Sequence, residues 1–208
     1  MKKNAEVDSA VEVAEEVESS GLEGYTMDCD LVGTTQLGFG APFQTDAKSL
    51  EGGEEELEQK HWRERILVNE ETGNAMINPM ALKKALDQTA KKQLGTVPGK
   101  GKCKYGGYFK SGVMVVTPID LGVKPDKINP ERMFVALPGQ GRHWKNFPKL
   151  PKWNAHATIA VLDGIVKPDV LEKCLNKCGN TNGLGLFRPQ NGGYWGRFVV
   201  KNIKVRKN

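Results

Sequence analysis

Long apolar runs are missing from this chain. No stretch approaches the ~20 consecutive residues that a membrane-spanning helix needs, so no membrane partner is expected. Nothing like the apolar core of a signal peptide follows Met1, Lys2 and Lys3, because Glu6 turns the segment acidic at once; a cytoplasmic protein is the expectation. Histidines number only three and cysteines four, and no two cysteines have the Cys-x-x-Cys spacing of a zinc knuckle. Cys174 and Cys178 stand four apart on an expected helix. With Cys29 and Cys103 they are read as reduced, mostly buried thiols, a zinc site gathering all four being the alternative. Residues 95–102 contain Gly-Lys without the spacing of a phosphate-binding Walker loop. A Gly-x-Ser-x-Gly elbow and a His-Glu-x-x-His helix are also absent. Neither a metal nor a cofactor is expected.

Acids are scarce in one part of the chain and crowded in the other. Residues 1–71 hold 18 Asp and Glu against 6 Lys and Arg, whereas residues 72–208 hold 7 acids against 24 bases. The overall charge of +5 thus conceals a basic portion with the footprint of a polyanion-binding surface. The acidic portion could screen that surface, solubilise the chain or meet a basic neighbour.

What is abundant is glycine, above all in residues 183–198. Gly183, Gly185, Gly192, Gly193 and Gly196 are interleaved there with Arg188, Arg197 and four aromatics, Tyr194 and Trp195 among them. Glycine permits close backbone approach or positive φ, arginine holds phosphate, and aromatic faces stack on bases. The same glycines would serve a loop packed on its own domain for steric reasons, and the segment alone leaves both readings open. A second basic segment at 95–110 carries Lys100, Lys102, Lys104 and Lys110 with Tyr105, Tyr108 and Phe109, and reads as a flexible arm for capture and stacking. Arg142, His143, Trp144 and Lys145 form a third cluster.

The order of elements follows from periodicity and punctuation. Residues 1–23 read as an acidic tail, disordered or marginally helical. Strands are expected at 25–38, 112–119, 155–162 and 197–205, with 112–119 buried on both faces. Asn78-Pro79 opens a helix to residue 93, and Pro168 opens another that Gly179 stops. Residues 49–59 read as an exposed acidic loop, 62–68 as strand-like, and 120–154, punctuated by five prolines, as irregular. The result is an α+β chain with a ferredoxin-like, RRM-like βαββαβ core, an antiparallel sheet and long inserted loops. Residues 24–208 are read as one domain with insertions at about 40–60, 95–110 and 120–154.

The glycine-rich loop before the last strand, together with the proline-led helix Asn78-Pro79-Met80-Ala81-Leu82-Lys83-Lys84, resembles the repeat-associated RNA-binding (RAMP) superfamily of CRISPR proteins. The backbone subunits that coat guide RNA are the most similar in pattern, and the shortness of this chain resembles a compact, phage-encoded relative. The resemblance implies a non-enzymatic protein that binds single-stranded RNA or DNA with little sequence preference and assembles head to tail along it. It also implies that the five glycines shape a loop with Arg188 and Arg197 at phosphates. Two other readings stay open. One is an assembly module in which acidic and basic surfaces meet. The other is a metal-independent ribonuclease using His61 beside Arg63 and Arg65, or His143 beside Arg142 and Lys145. His156 falls on an expected core strand and is read as a structural histidine.

Overall fold

A computed structural model describes residues 24–137 and 141–207. The expected acidic tail lies outside the described residues. In chain order the elements are β1 (Tyr25–Gly33), β2 (Leu37–Gly38), α1 (Gly53–Lys60), a 3-10 turn (Trp62–Arg65), β3 (Met76–Ile77), α2 (Pro79–Gln93) and α3 (Tyr105–Gly112). They continue with β4 (Val113–Val115), β5 (Ile119–Asp120), β6 (Asn129–Leu137), β7 (Gly141–Leu150), β8 (Asn154–Val161), α4 (Pro168–Thr181) and β9 (Phe198–Lys207). This is an α+β architecture, as the sequence implies.

One sheet has the order β4-β8-β1-β9, with every neighbouring pair antiparallel. Alternation on β1 decides its sidedness: Tyr25, Met27, Cys29 and Leu31 are buried, while Thr26, Asp28, Asp30 and Val32 turn to the other face. The buried set joins Ala157 and Ile159 of β8, Leu82 and Leu86 of α2, and Leu171 and Leu175 of α4 in a single core. Helix α2 begins where its sequence says it should, because the Asn78 side chain accepts from the Met80 amide at 2.8 Å and Pro79 supplies a fixed φ at the first position. Helix α4 runs past Gly179 to Thr181. That glycine does not end the helix, because it lets α4 approach β9: a Cβ there would collide with the Phe198 carbonyl oxygen.

Other expectations fail as well. Residues 53–60 form α1, whose first turn carries Glu54, Glu55 and Glu56 and whose last carries Lys60, a charge order that suits the helix dipole; Leu57 and Glu58 are buried. Trp62–Arg65 is a 3-10 turn, with Trp62 buried, where a strand was expected. The expected arm folds too, since α3 packs on α2 and β4, inserting Phe109 into the core, and the Phe109 carbonyl accepts from Lys83 Nζ at 2.8 Å. Strand β4 stops at Val115, and Met114 and Val116 are exposed, so the strand is buried on one face only.

The largest departure is at 129–150, where the expected irregular segment is a long antiparallel ribbon of β6 and β7, paired from Asn129↔Lys149 to Leu137↔Gly141. Strand β2 adds to its root, giving a sheet ordered β2-β7-β6. Its prolines fit without loss. Pro148 faces Pro130, and the Pro148 carbonyl accepts from the Phe39 amide, away from β6. A residue's amide and carbonyl leave a strand on the same side, so the missing Pro148 amide takes no rung from the β6–β7 ladder.

Candidate nucleic-acid interface

The ribbon carries the exposed chemistry. Phe134 and Trp144 are cross-strand partners with ring centroids 5.1 Å apart, and the Arg132 guanidinium lies 5.1 Å from the Trp144 ring centroid. Both rings are about half exposed, at 52% and 55%. Arg142 and His143 follow toward the tip, exposed. An arginine, two rings and further cations on one two-stranded element form a platform on which a base can stack while its phosphates meet charge.

A single buried carboxylate anchors this ribbon. Glu58 of α1 lies 2.6 Å from Arg65 Nη2 and 3.0 Å from Lys145 Nζ, and it accepts from the Asn146 amide at 3.3 Å. The Glu58 carbonyl also accepts from the Asn146 side chain at 2.8 Å, so α1 covers the free edge of β7. Lys145, expected to meet phosphate, is therefore an anchor with its charge already paired. A cleft of about 370 Å³ lies between the exposed Glu54 and Glu55 of α1 and the ribbon's Arg132, Phe134, Arg142 and Trp144.

The glycine-rich segment is a packed loop. Leu184 N–H donates to the Gly196 carbonyl, Trp195 N–H to Phe187, and Gly196 N–H to Gln36, each within 3.0 Å. Gly196 has φ 71°, and a Cβ on it would overlap the Leu184 carbonyl oxygen; a Cβ on Gly193 would overlap that of Phe187. The steric reading thus accounts for these two glycines, and the loop's Gly183, Gly185 and Gly192 are likewise held at positive φ. Trp195, at 2% exposure, is part of the packing and presents no face to a base; Phe187 meets it edge-on at 5.0 Å and meets Phe147 of β7 at 5.0 Å. The loop is thereby joined to the ribbon's root. Tyr194 is 64% exposed, and the Arg197 guanidinium donates to the Asn180 carbonyl.

The 95–110 segment lies elsewhere. Lys100, Lys102, Lys104 and Lys110 are exposed, with Lys100 Nζ 6.0 Å from the Tyr108 ring centroid, and Tyr105 and Tyr108 pack partly on the core. Phe109 is fully buried, so it is a core residue and offers no stacking face. Helix α3 packs mainly on α2 and β4, whereas β7 packs mainly on β6, β2, α1 and the 3-10 turn.

The open face of the four-stranded sheet sets carboxylates of β1 against cations of β9, with Asp28 opposite Lys204 and Asp30 opposite Lys201. Thr158 donates to Asp28 Oδ1 at 2.8 Å and Arg206 Nη2 lies 2.6 Å from Asp28 Oδ2; the Thr158 hydrogen bond, with that guanidinium and His156, holds the Asp28 carboxyl below its ordinary range. A bulge in β9 puts Asn202 at φ 52° with its amide 2.7 Å from Asp30 Oδ2, and this bond, then His156 at 3.1 Å, holds Asp30 down as well. His156 is thus an exposed partner of two aspartates; it sits on the open face of β8 where a core position was expected.

Most of the cysteines and histidines are buried or engaged, Cys103 and His143 being exposed. Cys29, Cys174 and Cys178 are buried, and burial raises all three thiols, Cys29 and Cys178 to about 12; Cys103 is exposed. Among the described residues no three His, Cys, Asp or Glu side chains group to hold a metal ion. His61 Nδ1 lies 2.8 Å from Glu64, whose carboxyl the Thr45 hydroxyl and amide help pull down to about 2, while Arg63 covers the Trp62 ring and Arg65 is bound to Glu58. No described helix is long and apolar enough to cross a membrane.

A four-stranded antiparallel sheet under two helices, with a ribbon inserted in chain order between β4 and β8, defines an α+β protein. Among solved structures, the chain is similar to a chain of the Type III-B Cmr-beta complex bound to cognate target RNA, with 15% identity over 89% of this chain and 62% of that one and a TM-score of 0.58. It is also compared with Cmr6 from Pyrococcus furiosus, at 10% identity, 86% and 100% coverage and a TM-score of 0.46. The chain spans less than two thirds of the Cmr-beta chain it matches, and the likeness is one of fold. No family model and no curated protein matches the chain.

Proposed function

We propose that this protein binds single-stranded nucleic acid along the β6–β7 ribbon, as a non-enzymatic protein with little sequence preference. The observation that carries the reading is the exposed stack of Arg132, Trp144 and Phe134 beside Arg142 and His143. Rings stack on any base, and cations release counterions from any phosphate, so this chemistry tolerates sequence. RNA is the first candidate, because the Cmr-beta structure of similar fold is bound to target RNA; single-stranded DNA is the comparison.

The strand order β4-β8-β1-β9 with α2 and α4 on one face supports a ferredoxin-like core. On that reading residues 24–208 are one RAMP-like domain, and the segments at about 40–60, 95–110 and 120–154 are its insertions. An RRM would use its open sheet face. Here the carboxylates at the centre of that face, Asp28 and Asp30, are engaged by Thr158, Arg206, His156 and Asn202, and the strand is placed on the ribbon instead.

Labelled RNA and DNA single strands of about 30 nucleotides, titrated at low salt, test the proposal. Micromolar or tighter binding that weakens steeply with salt is expected, and no binding of either strand at micromolar protein would sink it. A second reading, self-assembly through unlike charges, is favoured by exposed Glu54 and Glu55 on α1 and Lys201, Lys204 and Arg206 on β9. Light scattering of nuclease-treated protein across a salt series decides it: salt-sensitive oligomers support assembly, and monomers at every salt reject it.

A further inference from the structure

At the root of the ribbon, on the side of α2, lies a second cleft of about 310 Å³ between β2, the start of α2 and the glycine-rich loop. Its walls are apolar and low. Leu186, Met76 and Ala81 are half-buried there, and Gly38 and Gly40 offer bare backbone. The loop is fixed against β2 by Leu186 N–H donating to the Gly38 carbonyl at 2.9 Å.

Two arginines line the cleft, Arg65 from the 3-10 turn and Arg188 from the loop. Each buries an Nε–H that meets no acceptor among the described residues. Buried donors left without acceptors are uncommon and costly in a folded protein, which marks both arginines as groups short of an acceptor. Arg65 is already bound to Glu58 through Nη2 and lies over the Phe147 ring of β7, so the cleft and the ribbon share a residue at their junction. Arg188 lines the cleft from the opposite element and has no ion-pair partner among the described residues.

We propose that this cleft takes one nucleotide, its base laid on the apolar floor of Met76, Ala81 and Leu186 and its phosphate on the guanidinium group of Arg188. The volume lies at the lower end of the range for small-molecule sites, which suits a mononucleotide. The proposal deepens the nucleic-acid reading and rests on it where the nucleotide belongs to a strand. A free nucleoside monophosphate has the same chemistry, and the experiment separates the two sources.

Methyl-labelled methionine gives a probe inside the cleft, Met76, and the Trp144 indole N–H gives one on the ribbon; Met76→Leu and Trp144→Phe assign the two signals. Adenosine monophosphate, ribose 5-phosphate and a short single strand are titrated separately. The expected result is a saturable shift of the Met76 methyl with the strand, the free nucleotide or both, and a much smaller one with ribose 5-phosphate, which lacks the base. A shift with the strand alone assigns the cleft to a nucleotide of the bound strand, and a shift with the free nucleotide alone assigns it to that ligand. Arg188→Gln should weaken the Met76 response by about tenfold or more, and Ala81→Phe, which fills the floor, should abolish it, with thermal melts confirming that each variant folds. Equal shifts from ribose 5-phosphate overturn the proposal in favour of a simple anion site. A strand that moves Trp144 while Met76 stays silent to every ligand removes the cleft and leaves the ribbon; a strand that moves neither, with Met76 responding to the free nucleotide, removes the ribbon reading and leaves the cleft.

Discussion

Two exposed β surfaces of this molecule face opposite chemical problems. The open face of the four-stranded sheet carries Asp28, Asp30, His156 and Thr158, whose polar groups are turned on one another, on Asn202 and on Arg206. The ribbon carries rings and guanidinium groups that are stacked but not consumed, because Trp144 and Phe134 remain about half exposed and Arg132 is exposed. A face that satisfies its own polar groups gains little from a ligand. One that holds apolar rings and cations in water gains from covering them, and the difference assigns recognition to the inserted element rather than to the core sheet.

The comparison breaks most visibly at Glu58. This carboxylate is 6% exposed and serves two cations that are themselves mostly buried, so its loss leaves Arg65 and Lys145 without a partner at the join between α1 and the ribbon. Glu58→Gln should cost about 3 kcal/mol or more of stability, read as the shift in a urea midpoint, in line with breaking a buried ion pair. Asp30→Asn, on the exposed sheet face, should cost well under half as much. Equal effects would mean that the ribbon has no special anchor.

Binding sharpens the comparison next. Trp144→Ala should weaken affinity for a single strand by about 1–3 kcal/mol, roughly 5- to 150-fold, with Phe134→Ala similar, as expected for removing one stacked ring. Arg142→Gln should act differently: a uniform loss across sequences and a salt slope flatter by about 0.7. Removing one charge from the sheet through Asp30→Asn should leave affinity within about twofold, since Asp30 is engaged by Asn202 and His156 and exposed charges interact weakly in salt. A sheet variant that changed affinity more than Trp144→Ala does would place the strand on the sheet, reversing the assignment.

The two surfaces were not equally legible in the sequence. The core was, because its signals are local and agree with one another: the alternation from Tyr25 to Leu31, the Asn78-Pro79 start of α2, and Pro168 leading α4. The ribbon was not, because Pro130 and Pro148 read as breaks when each is met alone, and only their pairing across the ladder shows why both are tolerated. Cations and a tryptophan at 142–145 marked it all the same. Phe134, the cross-strand partner of Trp144, and Arg132, its diagonal neighbour, were missed, since no spacing rule links positions that meet only through register. Trp195 and Phe109 erred the other way: composition cannot say which aromatic of a glycine-rich segment turns inward. The strongest sign for Trp195 was the neighbouring glycines, which need a packed partner as much as a ligand needs them.

The smallest expected effect lies on the sheet and concerns pH. Thr158 donates to Asp28 at 2.8 Å, and this bond is the main reason that the Asp28 carboxyl stays below its ordinary value in the folded protein. A carboxylate with a depressed folded pKa contributes stability above its unfolded pKa of about 3.9, and that contribution fades as pH falls through the folded value. Thr158→Val removes the donor, so the variant should be less stable than the parent at neutral pH by about 1 kcal/mol or less. The gap should narrow as pH falls below about 4 and through the folded value, since protonated Asp28 leaves the hydroxyl no anion to serve. Thermal melts of the pair at neutral and acid pH read this directly. A gap that stays constant would show that Thr158 matters through packing alone, and the sheet face would then lose its claim to be satisfied by its own charges.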